Sequence, residues 1–227
     1  MKIQRLKTNQ EILVDFIQLE NPPLNIYISD DFCTKGRMLL SEFISNELKM
    51  ADNLENLNLS ISHTNKIGAV LCTAPSIDAD GGVDVADVVG IDVEEAHRIT
   101  EKLVQRIANS SEFALFEDLI PQNTLPPSRE PNVTNNQFWK YLWPIKEASF
   151  KAFHRYQKFD TSEQKFDSHT TKSPVKTISE IKIKNICQAE GVYHFTTMIS
   201  PNQNLANGIS FPYKEQLIAV AWISKIK

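Results

Sequence analysis

Short apolar runs of strand length recur along the whole chain, interrupted by three segments whose apolar residues fall at helical spacing. No all-α or all-β architecture accommodates both periods, so the expected class is α+β. Residues 24–29 (LNIYIS) read as a strand, and residues 36–50 follow as a helix carrying Leu40, Phe43, Ile44 and Leu48 on one face. Residues 57–62 (LNLSIS) alternate apolar and polar side chains, and an apolar run at 67–73 follows a polar break, which predicts a hairpin. After the glycine- and aspartate-rich stretch 77–84, the run 88–93 is apolar again, and a junction near Asp87 divides the chain into halves 1–87 and 88–227.

In the second half, Ile99, Leu103 and Ile107 predict an amphipathic helix over 95–109. Residues 121–137, with four prolines and four asparagines, read as a long loop. Phe138, Leu142, Ile145, Ser149 and Ala152 then step along one face of a helix over 138–157, with Pro144 either in its first turn or at a kink. The polar stretch 161–176 reads as another loop, and 178–186, 192–199 and 216–224 as three closing strands. The runs 66–73 and 216–223 echo each other weakly; buried strands share such composition, so the echo alone does not establish a repeat.

The chain's 227 residues suffice for one large domain or two small joined ones. A formal charge of −4 excludes a broad basic surface for nucleic acid or anionic membrane, so any polyanionic ligand needs a local pocket. Three scattered cysteines form no CxxC pair, which suggests neither a zinc site nor a disulfide framework and leads us to expect a reducing, cytoplasmic setting. The N-terminal residues lack an apolar core with a small-residue cleavage site, and no apolar run approaches the ~18 residues of a membrane span. Neither export by such a signal nor membrane insertion is expected.

Three clusters carry chemistry. Asp92 and Glu94 project from one face of a strand end, where mutual repulsion is relieved by a shared proton, by solvent or by a divalent cation. A solvated strand end running into an acidic first helical turn would look the same. Glu147 and Lys151 share a helix face among Trp143, Ile145, Ala148 and Phe150; the spacing also suits an ordinary surface ion pair. Ser62, His63 and Thr64 gather hydroxyl and imidazole donors at a turn, which suits phosphate oxygens or a hydrogen-bonded structural turn. No GxSxG elbow, P-loop or GxGxxG is present.

Taken in order, Ser62-His63-Thr64, Gly90-Ile-Asp92-Val-Glu94 and Trp143-Pro-Ile-Lys146-Glu147-Ala-Ser-Phe-Lys151 resemble the motif series of the 4′-phosphopantetheinyl transferases, in their larger single-chain branch. The resemblance covers the stretch from Asn58 to Lys151. It implies a pseudodimer of two similar α+β halves with the active site in the cleft between them. It also implies a holo-carrier-protein synthase type of activity: Mg²⁺-dependent transfer of phosphopantetheine from coenzyme A to a serine of an apo acyl or peptidyl carrier protein, releasing adenosine 3′,5′-bisphosphate. On this resemblance Asp92, Glu94 and Glu147 are the Mg²⁺ ligands, Glu147 doubles as the base, and Lys151 stabilises phosphate charge. Ser62 and His63 contact the adenosine 3′-phosphate, and Lys146 and Arg37 are further coenzyme contacts. The family's basic cluster is reduced here to Lys35 and Arg37, its G-K-P element is missing, and Ala152-Phe-His154 lacks a glycine often found there. These departures leave open a silent member that binds carrier protein or coenzyme A without catalysis. Lys140, Lys151, His154, Arg155 and Lys158 form either a docking patch for an acidic carrier or a solvated helix face. A monomer is expected.

Overall fold

The computed structural model describes residues 2–7, 12–20, 22–34, 43, 59–73, 76–77, 83–84, 88–117, 119, 138–163, 175–199 and 204–223. The first half contributes β1 (Ile3–Lys7), β2 (Leu13–Leu19), β3 (Leu24–Ser29), a short α1 (Asp31–Thr34), β4 (Leu59–His63) and β5 (Gly68–Thr73). All pairs are antiparallel, in the order β1-β2-β3-β5-β4. A two-residue ribbon, β6 (Ser76–Ile77) with β7 (Val83–Asp84), leads to β8 (Val88–Glu95). Short helices α2 (Glu101–Val104) and α3 (Ser110–Glu117) follow, then a 3-10 turn at Phe138–Tyr141 and the 22-residue helix α4 (Leu142–Glu163). A meander of β9 (Ile181–Ala189), β10 (Val192–Ile199), β11 (Leu205–Tyr213) and β12 (Gln216–Ile223) closes a second five-stranded antiparallel sheet in the order β8-β12-β11-β10-β9.

Strand period and burial explain the stacking. On β3, Leu24, Ile26 and Ile28 point inward, as do Ile67, Ala69 and Leu71 beside them; they meet Val89, Ile91, Val93, Ile218 and Val220 of the second sheet in one apolar layer. The outer face of the first sheet packs on Phe32 and Phe43. The outer face of the second is covered by α4, which buries Leu142, Ile145, Ala148, Ala152 and Phe153 at helical spacing. Strand β12, covered on both faces, is buried along its whole length and accordingly reads as an unbroken apolar run.

The α+β class, the 59–73 hairpin and the long helix match expectation, with Pro144 in the helix's first turn rather than at a kink. Four differences stand out. The segment 95–109 is not one helix: Glu95 ends β8, Thr100 caps the four-residue α2, and Asn109 caps α3. The buried Ile99 and Ile107 produce the helical spacing from a helix and its flanking turns. Strand β11 was not expected, because Asn207, Gly208 and Pro212 read as breakers; Gly208 is required there, since a Cβ would lie 2.1 Å from Phe195 and 2.3 Å from the Val220 carbonyl. Strands β1 and β2 were also not expected. The helix α4 extends through Glu163, so the polar stretch from 161 begins as helix, and Val175 beyond it is buried, its N–H donating to Gln157 Oε1 at 2.7 Å. The helix expected at 36–50, apart from Phe43, and the loop at 121–137 lie outside the described residues, as does Asp87.

Candidate functional site

Among the described residues, strand β8 pairs with β12 on one edge only. Its other edge faces β4, and the backbone groups there are taken by side chains. Ser60 Oγ accepts the Ile91 N–H at 3.0 Å, and Ser62 Oγ accepts the Val93 N–H at 3.2 Å. Lys151 Nζ donates to the Ile91 carbonyl at 2.9 Å, and the Arg155 guanidinium donates to the Val89 carbonyl at 3.3 Å and to the Leu59 carbonyl of β4. Residues two apart on a strand face the same edge and residues four apart on a helix face the same side, so two serines and two cations replace a neighbouring strand.

This joint brings together the residues that the sequence singles out. Asp92 is buried; its Oδ1 accepts from Lys151 Nζ at 2.8 Å and from Ser62 Oγ at 3.1 Å, while its buried Oδ2 has no hydrogen-bond partner. Glu94, partly buried, accepts a hydrogen bond from Trp143, one helical turn before Glu147. Burial first, then the charge of Asp92, raises the Glu94 pKa; Arg98 opposes and Glu147 adds to the rise. The Glu147 carboxyl is likewise pushed up by burial and by Asp92, and held back by Lys151. Three carboxylates from two elements therefore feel one another's charge, with one ammonium among them.

The donor set fits a hard divalent cation in kind: three carboxylates, an orphaned buried oxygen on one of them, and charge repulsion that a cation would relieve. Among the described residues no three His, Cys, Asp or Glu side chains stand close enough together to hold a metal as they are. Mg²⁺ needs only one or two carboxylates when water and phosphate oxygens complete its shell.

Other expected site residues fall elsewhere. Ser62 stands at the centre, but its hydroxyl is occupied on all sides by Asp92, Val93 and Lys151. His63, next along β4, is exposed. Lys146, for which the resemblance implies a coenzyme contact, is fully buried and donates to the Ile107 carbonyl at 2.6 Å and to Glu112 at 2.8 Å. One residue before Glu147 on a helix is a turn of about 100°, which aims Lys146 at α3 rather than at the site. Arg37 lies outside the described residues. Of the basic residues on α4, Lys151 and Arg155 donate to carbonyls along the β8 edge; the Lys158 side chain lies outside the described residues. Ser60 and the second role of Arg155 escaped sequence reasoning. The available signal was the pair of small hydroxyls alternating with Leu59 and Ile61.

Compared with models of known protein families, the chain matches none, and it matches no curated protein.

Proposed function

We propose that this chain is a 4′-phosphopantetheinyl transferase of the pseudodimeric type, moving phosphopantetheine from coenzyme A to a serine of an apo acyl or peptidyl carrier protein. One observation carries the reading: Ser62, Asp92, Glu94, Glu147 and Lys151, drawn from three separate sequence motifs, gather at one joint between two sheets. In support of two related halves, the strands of the weak echo hold like places, β5 beside β4 and β12 beside β8, each second from the joint.

Phosphoryl transfer requires positioning and charge neutralisation more than a protein nucleophile, and this chain offers groups for both. Asp92, Glu94 and Glu147 would hold Mg²⁺, which when bound neutralises the pyrophosphate of coenzyme A. Glu147, its pKa raised towards the working range of a base, accepts the proton of the carrier serine as the serine oxygen bonds to the phosphopantetheine phosphorus and the pyrophosphate P–O bond breaks, releasing adenosine 3′,5′-bisphosphate. Lys151 sits beside Asp92 and is 29% exposed at its side chain; its three ammonium protons are taken by Asp92, Ser62 and the Ile91 carbonyl, so it would offset phosphate charge across the site without a hydrogen bond to the phosphate. The exposed His63 offers a further donor to an anion at the cleft edge. In this reading the protein acts as a cytoplasmic monomer whose partners are coenzyme A and the carrier, not nucleic acid or membrane.

The test is incubation with coenzyme A, Mg²⁺ and a panel of apo carrier proteins, read by mass spectrometry. A phosphopantetheine adduct is expected on at least one carrier. No adduct on carriers that a control transferase does modify would overturn the reading, and metal-independent carrier binding in its place would identify a silent binding module.

A further inference from the structure

We propose that Ser62 is a positioning residue, holding Lys151 and Asp92 in register through its hydroxyl, and does not contact a phosphate of the donor with its side chain. The inference rests on the transferase reading and departs from the role that the sequence resemblance implies for this serine. A serine hydroxyl has one proton to give and two lone pairs to offer. Here the proton goes to Asp92 Oδ1 at 3.1 Å, and the lone pairs accept from the Val93 N–H at 3.2 Å and from Lys151 Nζ at 3.1 Å. No capacity remains for a ligand, and the residue is 7% exposed. A phosphate oxygen arriving at Ser62 could take only the proton now given to Asp92 Oδ1, stripping a hydrogen bond from a buried carboxylate whose other oxygen already has no partner, a cost comparable to the bond gained.

The arrangement has a positive purpose. Lys151 reaches the joint from α4 and Asp92 from β8, while Ser62 belongs to β4; their three side chains meet pairwise, so each fixes the other two. Ser60, two residues earlier, secures the same strand edge at Ile91, which keeps Ser62 in register with Val93. The lysine is thereby aimed before any substrate binds, which is the positional control that group transfer demands. The exposed His63 is the member of the Ser62–His63 pair whose side chain is open to an anion.

Two measurements test this. The first compares wild type and Ser62→Ala using coenzyme A and 3′-dephospho-coenzyme A as donors. A positioning role predicts that kcat falls about ten- to a hundredfold on both donors, with the preference between them unchanged. An unchanged kcat, or a preference for the 3′-phosphate that disappears with the hydroxyl, would overturn the proposal. The second follows amine modification of Lys151 by mass spectrometry. In wild type, Lys151 should react at least about tenfold more slowly than the exposed Lys214, because its ammonium is engaged by three acceptors, and Ser62→Ala should speed it. Equal rates for Lys151 and Lys214 in wild type overturn the proposal without recourse to any variant. Should wild type transfer nothing from either donor, the transferase reading fails, and the modification rates still decide whether Ser62 holds the lysine.

Discussion

Gly90 shows how a single residue decides whether the joint can form. A Cβ there would lie 2.1 Å from the Ala148 carbonyl oxygen and 2.7 Å from the Ala152 nitrogen, so α4 rests directly on the backbone of β8. The contact lies beneath Asp92 and Glu147, and any retreat of the helix would draw Lys151 away from Asp92. Gly90→Ala should cost about 3 kcal/mol or more by urea denaturation, and weaken any Mg²⁺-dependent activity beyond the loss of folded protein. Glu147 behaves in the opposite sense. Its pKa is raised above the ordinary 4.5 by burial and by Asp92, so as pH climbs above 4.5 the unfolded chain releases this proton more readily than the folded one, and stability falls. Glu147→Gln should therefore unfold at higher urea than wild type at pH 7, with the advantage shrinking as pH drops towards 4.5, while transfer is lost. Asp92, Glu94, Glu147 and Lys151 were recognisable in sequence because spacing assigns them to shared faces. The fate of Lys146 was not, because spacing says nothing about which element will cover the adjacent face.

Among elements, α3 governs how α4 is seated. Asn109 and Glu112 form a reciprocal cap: Asn109 Oδ1 accepts the Glu112 N–H at 3.0 Å, and Glu112 Oε2 accepts the Asn109 N–H at 3.0 Å. The same carboxylate accepts the Ile183 N–H of β9 at 2.8 Å and pairs with Lys146 at 2.8 Å, so one residue joins α3, β9 and α4. Burial lowers the Lys146 pKa and Glu112 opposes the shift; truncating the lysine leaves the buried Glu112 carboxylate without its counter-ion, held only by the Asn109 and Ile183 N–H groups. Lys146→Met should cost about 3 kcal/mol or more, and Lys146→Met combined with Glu112→Gln less than the two single losses added, in a denaturation cycle. The asparagine-to-glutamate spacing of this cap was present in the sequence, but apolar spacing across 99–107 masked it with an apparent continuous helix. Strand β11 was hidden for a related reason: local breakers argue against a strand, whereas pairing with β10 and β12 on both sides overrides them.

At the scale of the whole molecule, the two sheets are held together along the β8 edge of the second one and at its β11–β12 turn. At the tip joining β11 and β12, Tyr213 donates to Asp15 of β2, which also takes a two-pronged ion pair from Arg5 at 2.7 and 2.9 Å. Lys214 reaches Asp30 at 3.0 Å, and Glu215 reaches Lys66. The last two pairs are exposed and contribute little, but Asp15 is buried. Arg5 chiefly, and Tyr213 in addition, lower the Asp15 pKa below 3.8, so their stabilisation is present above that pH and disappears as pH falls through the lowered value. Tyr213→Phe should cost about 1 kcal/mol at pH 7, and in an acid denaturation series the difference from wild type should shrink below pH 3.8 as pH falls through the lowered Asp15 value. Motif order and length led to the expectation of two joined units, and two five-stranded sheets form. How they are fastened could not be read from the sequence, since such contacts join residues as far apart as Asp15 and Tyr213 and leave no local periodicity.

The joint along β8 differs in kind from the ladders on either side of it. Hydrogen bonds between backbones belong to no residue in particular and persist through almost any substitution, whereas those joining β4, β8 and α4 depend on Ser60, Ser62, Lys151 and Arg155. The seam along β8 is thus written in four side chains, and a single substitution can loosen it one bond at a time.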